Sequence, residues 1–498
     1  MKKYIGIDLG TTFCAVSMLD DNGKPSIVHN SDGQNITASY LEWRDDGVIE
    51  AGQNARKTFG INKRVVGRFK STMGTSKVYE IDGKNYNSTQ LSTLLLKKLL
   101  KDTLNEVGAV ADAVVTIPAN FSNEAREATM QAAKDAGLNV KFIINEPTAA
   151  ALYYAYNSNT MLNGKYAVYD LGGGTFDISI IKVDSHDIEV IRSNGLKKLG
   201  GDDFDKALQK LVIQKIEEEH QEKINNNDYS LAQAEDDKIK LSKRDNIEVQ
   251  INSIRKFIKI SRVDFEEAIS SLVVQTKMAC EAVLNESKLT KDDIESVFLV
   301  GGSTRMPVIQ RTVHKVFNKE PIATVNVDEV VALGASLYAA YKSDQSELNP
   351  VQKTALATLS IGESATKYFG TTILSSDQSS FGHLENSILI NKGQKLPCSV
   401  TKTYYTVSDG QETLKCDVTE SGRKEMDIEY VNIIWEGDLK LPSGRPMGQK
   451  IDVTFSYDEN QIMSCAFVDV STGDKKEIDL SMNIDAKVDS DIDEFLVE

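Results

Sequence analysis

Asp8-Leu9-Gly10-Thr11-Thr12 and Asp170-Leu171-Gly172-Gly173-Gly174-Thr175-Phe176-Asp177 are two versions of one local pattern. Each follows an apolar, β-branched run (Tyr4–Ile7, Ala167–Tyr169) and precedes another (Cys14–Met18, Ile178–Val183), so each reads as a strand, a glycine turn and a second strand. Glycines keep Cβ atoms out of such a turn, and several backbone N–H groups then point into one concavity that suits phosphate oxygens. Thr11, Thr12 and Thr175 add hydroxyl donors. Asp8, Asp170 and Asp177 would repel phosphate unless a cation lay between, which points to Mg²⁺, a hard cation that keeps several waters and takes a few carboxylates. One such turn fits an ordinary hairpin; two with an Asp at the same point predict two similar halves facing each other.

Outward from these turns, Val114–Ile117 and Val297–Val300 also read as strands, and helices with clear punctuation lie between. Ser122 can cap a helix through Ala125–Ala136 that Gly137 ends. Phe204, Leu208, Leu211, Val212 and Ile216 recur at helical spacing after Asp202-Asp203. Two further glycine pairs, Gly200-Gly201 and Gly301-Gly302, open helices and complete the outline of a nucleotide cleft, although helix packing explains either pair about as well. This is α/β architecture.

After Tyr341 the character changes. Polar Ser343–Lys353, with Pro350, reads as a linker. Beyond it, Ile451, Val453, Phe455 and Tyr457 alternate up to a turn at Asp458-Glu459-Asn460; Ile462, Ala466, Val468 and Val470 then share a face, before a turn at Ser471–Asp474 and the run Ile478–Leu480. These are antiparallel hairpins with one buried face. Asp485–Glu498 carries six acids and one lysine and reads as a solvated tail.

Composition narrows the class. The 498 residues are 41% hydrophobic and 26% charged, and 57 Lys+Arg against 73 Asp+Glu leave a net charge of -16. That is a soluble multidomain profile without the basic face that nucleic acid requires. Five scattered cysteines and no C-x-x-C favour a reducing compartment. The start lacks a signal-peptide core and no apolar run reaches about 18 residues, so the expectation is a cytoplasmic protein that neither spans a membrane nor binds nucleic acid.

The motifs in order are I-G-I-D-L-G-T-T at 5–12, I-P-A-N-F at 117–121, I-N-E-P-T-A-A-A at 144–151, D-L-G-G-G-T-F-D at 170–177, L-G-G-D-D-F-D at 199–205 and V-G-G-S-T-R-M-P at 300–307. Together they resemble the DnaK-type chaperones of the heat-shock protein 70 family, within the actin and sugar-kinase ATPase superfamily. The resemblance implies a two-lobed actin-like ATPase domain (1–345), a linker (346–355), an antiparallel β-sandwich that holds extended peptide (356–480) and an acidic tail (481–498). Those last residues are too few for the usual helical lid.

Residue by residue, the resemblance implies that Gly10, Thr11, Thr12, Gly172, Gly173, Gly174 and Thr175 cradle the phosphates of ATP or ADP. Asp8, Asp170 and Glu146 would hold the waters of Mg²⁺, with K⁺ also present. Thr175 and Asp177 would orient the attacking water. The lysine that touches this water is Lys70 or Lys63; spacing from the Asp8 turn favours Lys70. Gly200, Gly201, Glu235, Lys238 and Ser242 would face the adenosine from one lobe, and Gly301, Gly302, Ser303, Arg305 and Asp328 from the other. Pro118 and Arg126 would couple nucleotide state to the rest of the chain, and Val407 and Leu414 would line the peptide channel, although a plain core position explains Leu414 equally well.

Departures from the family pattern are equally specific. Gly74–Gln90 is short, and Gly362–Pro397 is longer than the family's first hairpin. Val351-Gln352-Lys353-Thr354-Ala355 stands where the family has a leucine-rich linker, each buried leucine being worth about 1.5–3 kcal/mol. Phe142 stands where an arginine meets J-domain co-chaperones, which weakens that expected partnership; a nucleotide-exchange factor is the other implied partner. The expectation is an ATP-hydrolysing, peptide-binding chaperone. The alternative is a co-chaperone or assembly factor that uses ATP as a switch. A sugar kinase is disfavoured because nothing after residue 345 resembles a sugar-kinase lobe.

Overall fold

The run around Ile5 and Ile7 forms β1 (Lys3–Asp8), which turns through the first glycine loop into antiparallel β2 (Phe13–Leu19) and on to β3 (Pro25–Val28). The computed structural model describes residues 3–158, 162–184, 187–323, 326–357, 365, 367–375, 382–458, 463–479 and 496–498. Short β4 (Thr37–Ala38) pairs with β2. Then β5 (Tyr40–Trp43), β6 (Ile49–Ala51) and β7 (Val65–Gly67) make their own sheet in the order β6-β5-β7, with α1 (Gln53–Thr58) between the last two in sequence. A hairpin of β8 (Val78–Ile81) and β9 (Lys84–Asn87) leads into α2 (Ser88–Val107), where Asn87 and Gln90 form a reciprocal capping box. β10 (Val110–Ile117) pairs parallel with β1, and after α3 (Asn123–Asp135), β11 (Val140–Asn145) pairs parallel with β10; α4 (Glu146–Asn157) follows.

The pattern then repeats. β12 (Asn163–Leu171), β13 (Phe176–Asp184) and β14 (Asp187–Leu196) run antiparallel about the second glycine loop. Next come α5 (Gly201–His220), α6 (Leu231–Lys243), the hairpin of β15 (Asn246–Ile251) and β16 (Lys256–Ser261), α7 (Arg262–Ala268) and α8 (Ser270–Glu286). β17 (Ser296–Val300) pairs parallel with β12 as β10 does with β1. α9 (Pro307–Phe317) and α10 (Val330–Lys342) complete the mixed α/β region. Phe204, Leu208, Val212 and Ile216 of α5 are fully buried, so the helical spacing read from sequence marks a packed face. No described helix is long and apolar enough to cross a membrane.

The chain divides into two compact units: Met1–Ala119, Thr129–Ser360 and Asp485–Glu498 in one, Asn120–Ala128 and Ile361–Ile484 in the other. Residues 346–355, expected as a linker, carry instead α11 (Pro350–Leu356), which belongs to the first unit. Asn349 caps it and Pro350 takes its first position, where the missing N–H costs nothing. Gln352 donates to Asp20 O at 3.0 Å, and Leu356 is buried. Pro350 is thus a helix start.

The second unit holds β18 (Tyr368–Leu374), β19 (Leu384–Ile390), β20 (Cys398–Tyr405), β21 (Thr413–Ser421), β22 (Asn432–Lys440), β23 (Lys450–Tyr457), β24 (Met463–Asp469) and β25 (Lys475–Asp479). They form two antiparallel sheets, β19-β18-β21-β22 and β20-β23-β24-β25, which feed one core; Phe369 of the first sheet meets Tyr457 of the second edge-on at 5.1 Å. Ile451, Val453, Phe455 and Tyr457 point into that core as the alternation predicts. The face of β24 is corrected. Met463, Cys465, Phe467 and Asp469 are its buried residues, whereas Ala466 and Val468 are only half-buried and Val470 is exposed. A shift of one residue exchanges the two faces of a strand, and Asp469 hid the buried set from a hydrophobicity reading. Its carboxylate takes both guanidinium nitrogens of Arg445 and the N–H and hydroxyl of Ser471. Burial alone would raise its pKa, but the Arg445 and Ser471 hydrogen bonds hold it at about 2. Asp469→Ala should therefore destabilise the second unit by about 2–3 kcal/mol, read as a lower urea midpoint with unchanged slope. Because the carboxyl is depressed below its ordinary 3.8, its contribution is present above that pH and lost as pH falls toward 2.

Glu459, Asn460, Ile462, Leu480, residues 362–364, 366 and 376–381, and residues 481–495 of the tail lie outside the described residues. Leu496–Glu498 does not match the solvated tail expected: it pairs with β6.

Candidate functional site

Both glycine turns end at one cavity in the first unit. β1 delivers Asp8 and the loop with Gly10, Thr11 and Thr12; β12 delivers Asp170 and the loop with Gly172, Gly173 and Thr175. With Lys70, Glu146, Glu235, Lys238, Ser242, Gly301, Gly302, Ser303, Arg305 and Asp328 they line a space of about 660 Å³. Asp177, Gly200 and Gly201 stand one layer back. Asp177 is the strand partner of Asp170, and the start of α5 grips the loop through Gly201 N–H to Gly172 O (3.0 Å) and Asp202 N–H to Gly173 O (2.7 Å). Gly174 lies against Thr11: a Cβ there would sit 3.0 Å from the Thr11 methyl.

Lys70 sits in a single helical turn, Phe69–Thr72, entered from Arg68 at φ 63. It is buried, and its Nζ donates to Glu146 Oε1 at 2.6 Å. Lys63, the other candidate, is exposed. Thr116 Oγ1 donates to Asp8 Oδ1 at 3.0 Å. Burial raises the Asp8 carboxyl to about 7, reinforced by Glu146 and opposed by Lys70. Asp170 is raised well above its ordinary value by burial, then by Glu146, Asp177 and Asp8. Burial would lower Lys70, but Glu146 and Asp8 more than offset this and hold its pKa high. One lysine therefore faces a cluster of crowded carboxylates, which calls for further positive charge. Among the described residues, no three carboxylate, imidazole or thiol groups converge as direct metal ligands. The hydroxyl of Thr12 is buried without a partner and lies where a Cβ on Gly173 would come within 2.1 Å. The two glycine loops thus touch, and a polar atom between them waits for an acceptor.

At the other end, Ser303 Oγ donates to Gly172 O at 3.1 Å and Arg305 pairs with Asp328 at 3.1 Å, so the two glycine clusters are tied together. Lys238 Nζ is held by Asp205 Oδ1 (2.8 Å) and Gly201 O (3.1 Å), and Glu235 pairs with Arg56. Sequence reasoning missed Arg56, Arg68, Asp202 and Asp205 as parts of this site. Arg68 pairs with Asp202 at 2.6 Å, and burial lifts Asp205 to about 6 against the pull of Lys238. The aspartates lay in plain view in L-G-G-D-D-F-D, but they read as acids that merely favour a helix start.

The remaining candidates fall elsewhere. Pro118 closes β10 in the first unit, while Arg126, 1% exposed, belongs to the second. There it lies near enough to Tyr457 to oppose the rise that burial imposes on that phenol. Val407 is 58% exposed after β20. Leu414 opposes Leu439 in the β21–β22 pair and packs half-buried on the core. Phe142 carries the Lys342 ammonium over its ring at 5.1 Å.

The family model described as "Hsp70 protein" matches residues 4–498. The "Chaperone protein DnaK" of Mycoplasma mobile (strain ATCC 43663 / 163K / NCTC 11711) is 33% identical over 487 residues, covering 95% of this chain and 77% of its own.

Proposed function

The chain belongs to the Hsp70 family, and on that premise we propose that it is an ATP-hydrolysing chaperone that binds extended apolar segments of unfolded polypeptides. In this reading the first unit is a two-lobed, actin-like ATPase and the second a peptide-holding β-sandwich. One observation carries the ATPase half: Lys70, Asp8, Glu146 and Asp170 converge on a cavity walled by two glycine loops. The loop N–H groups and the hydroxyls of Thr11, Thr12 and Thr175 take the phosphates, and Lys70 neutralises the outermost phosphoryl oxygens. Thr175 and Asp177 orient the attacking water, since phosphoryl transfer is chiefly positioning and charge stabilisation. Mg²⁺, when bound, supplies the charge that the carboxylates call for; K⁺ is a second candidate cation. Val407 and Leu414 are the residues proposed for the peptide channel, and Pro118 with Arg126 for coupling. The proposed setting is the cytoplasm.

Single-turnover ATP hydrolysis with and without a short apolar peptide tests this. Turnover that the peptide accelerates supports the chaperone. Nucleotide binding with no hydrolysis sinks it in favour of an ATP-bound switch.

A pH signature follows from Asp8. Its carboxyl is raised from 3.8 to about 7, so the stability of the free protein that this proton confers is full below 3.8 and is lost as pH rises through 7. Asp8 would give up that proton on holding a cation, since a nearby positive charge favours its carboxylate form. Titration calorimetry near pH 6.5, in two buffers of different ionisation enthalpy, should show roughly half a proton or more released per Mg²⁺-nucleotide bound. Proton uptake, or none, contradicts the charge assignment.

A further inference from the structure

In the first unit, Leu496–Glu498 lies along the outer edge of β6 as an added parallel strand. Ile49 N–H donates to Leu496 O at 2.9 Å, Glu498 N–H to Ile49 O at 2.9 Å, and Ala51 N–H to Glu498 O at 2.7 Å. Val497 is 5% exposed. Lys101 of α2 donates to Val497 O at 3.2 Å, and Arg44 stands 3.7 Å from the Glu498 carboxylate. β6 is the edge strand of the β6-β5-β7 sheet. An edge strand presents unpaired N–H and C=O groups, and an extended peptide that meets them gains main-chain hydrogen bonds while side-chain pockets select its sequence. Here the edge offers backbone pairing, burial for one valine, and cations beside the Val497 carbonyl and the Glu498 carboxylate. Those features match the apolar-then-acidic order Leu-Val-Glu.

The same edge reaches the nucleotide cavity within a few residues. β6 passes through Gly52 into α1, where Arg56 lies 5.4 Å over the Phe13 ring and pairs with Glu235. Phe13 and Glu235 both line the cavity. Whatever steadies β6 steadies the residue that ties two sides of the cavity rim.

We propose that the outer edge of β6 is a strand-docking site for the chain's own 496–498 segment, and that its occupancy slows nucleotide departure from the cavity. The docking half is independent of the chemistry in the cavity; the second half rests on the nucleotide reading above. Amide hydrogen exchange on the full chain without nucleotide tests docking directly. Val497→Asp, which places a charge in the buried position, and Glu498→Pro, which deletes the N–H donated to Ile49, should each speed exchange at Ile49 and Ala51 about tenfold. Glu498→Gln, which keeps that donor, should retain most of the protection. Release of a fluorescent N-methylanthraniloyl-ADP should quicken about fivefold in Val497→Asp, and a synthetic peptide of residues 485–498 added in trans should slow it again. Unchanged exchange at Ile49 and Ala51 overturns the docking site. Faster exchange with unchanged ADP release overturns the regulatory half. If the ADP probe fails to bind the unmodified chain, the nucleotide reading falls with that half, while the exchange result still decides docking.

Discussion

Lys70→Ala should lower the single-turnover rate of ATP hydrolysis about 10³-fold and leave the Kd for Mg²⁺-ATP within about threefold. The asymmetry follows from where Lys70 stands. It is buried on the carboxylate side of the cavity, 2.6 Å from Glu146, whereas the loops and the Ser303–Asp328 side offer most of the remaining contacts for a nucleotide. A cation aimed at charge that grows in the transition state contributes mainly to rate, because ground-state binding is spread over many other groups. Removing it also leaves Asp8 less compensated, so the variant should hold the Asp8 proton to higher pH. Lys63→Ala, an exposed change, is the control and should hydrolyse normally. If Lys63→Ala is the inactive one, the assignment of the phosphate-facing lysine is wrong.

Gly173→Ala should weaken ATP binding about 100-fold, near 2.7 kcal/mol. The added methyl would lie 2.1 Å from Thr12 Oγ1 and 2.7 Å from Thr12 Cβ, and Thr12 is itself buried. The clash falls where the two glycine loops meet, so relief requires the loops to part and the phosphate cradle to widen. Gly174→Ala, whose methyl comes no nearer to any atom than 3.0 Å (Thr11 Cγ2), should lose far less. Gly422→Ala, with open space around it, should leave affinity unchanged. Fluorescence titration with an ATP analogue reads all of these. Normal binding by Gly173→Ala would mean that the loops do not jointly hold the phosphates.

Much of the site was legible because its pieces are local motifs. D-L-G-T-T and D-L-G-G-G-T-F-D announced glycine turns between strands, and most residues read from the motifs line one cavity. What escaped were partnerships. Arg68 with Asp202, Arg56 with Glu235 and Lys238 with Asp205 join segments far apart in the chain, and no spacing rule links them. In the second unit the alternation of β23 was readable, but the register of β24 was not, since its buried face includes an aspartate that Arg445 and Ser471 make tolerable.

The sequence alone determined the glycine turns, the capped helices, the period-two strands and the family, because each depends on residues within a few positions of one another. The tertiary structure decided which lysine is buried beside the carboxylates, that Pro350 begins a helix, which face of β24 is inside and that Leu496–Glu498 pairs with β6. Burial, ion pairing and strand addition are set by what another part of the chain brings alongside, and that is known only once the chain has folded.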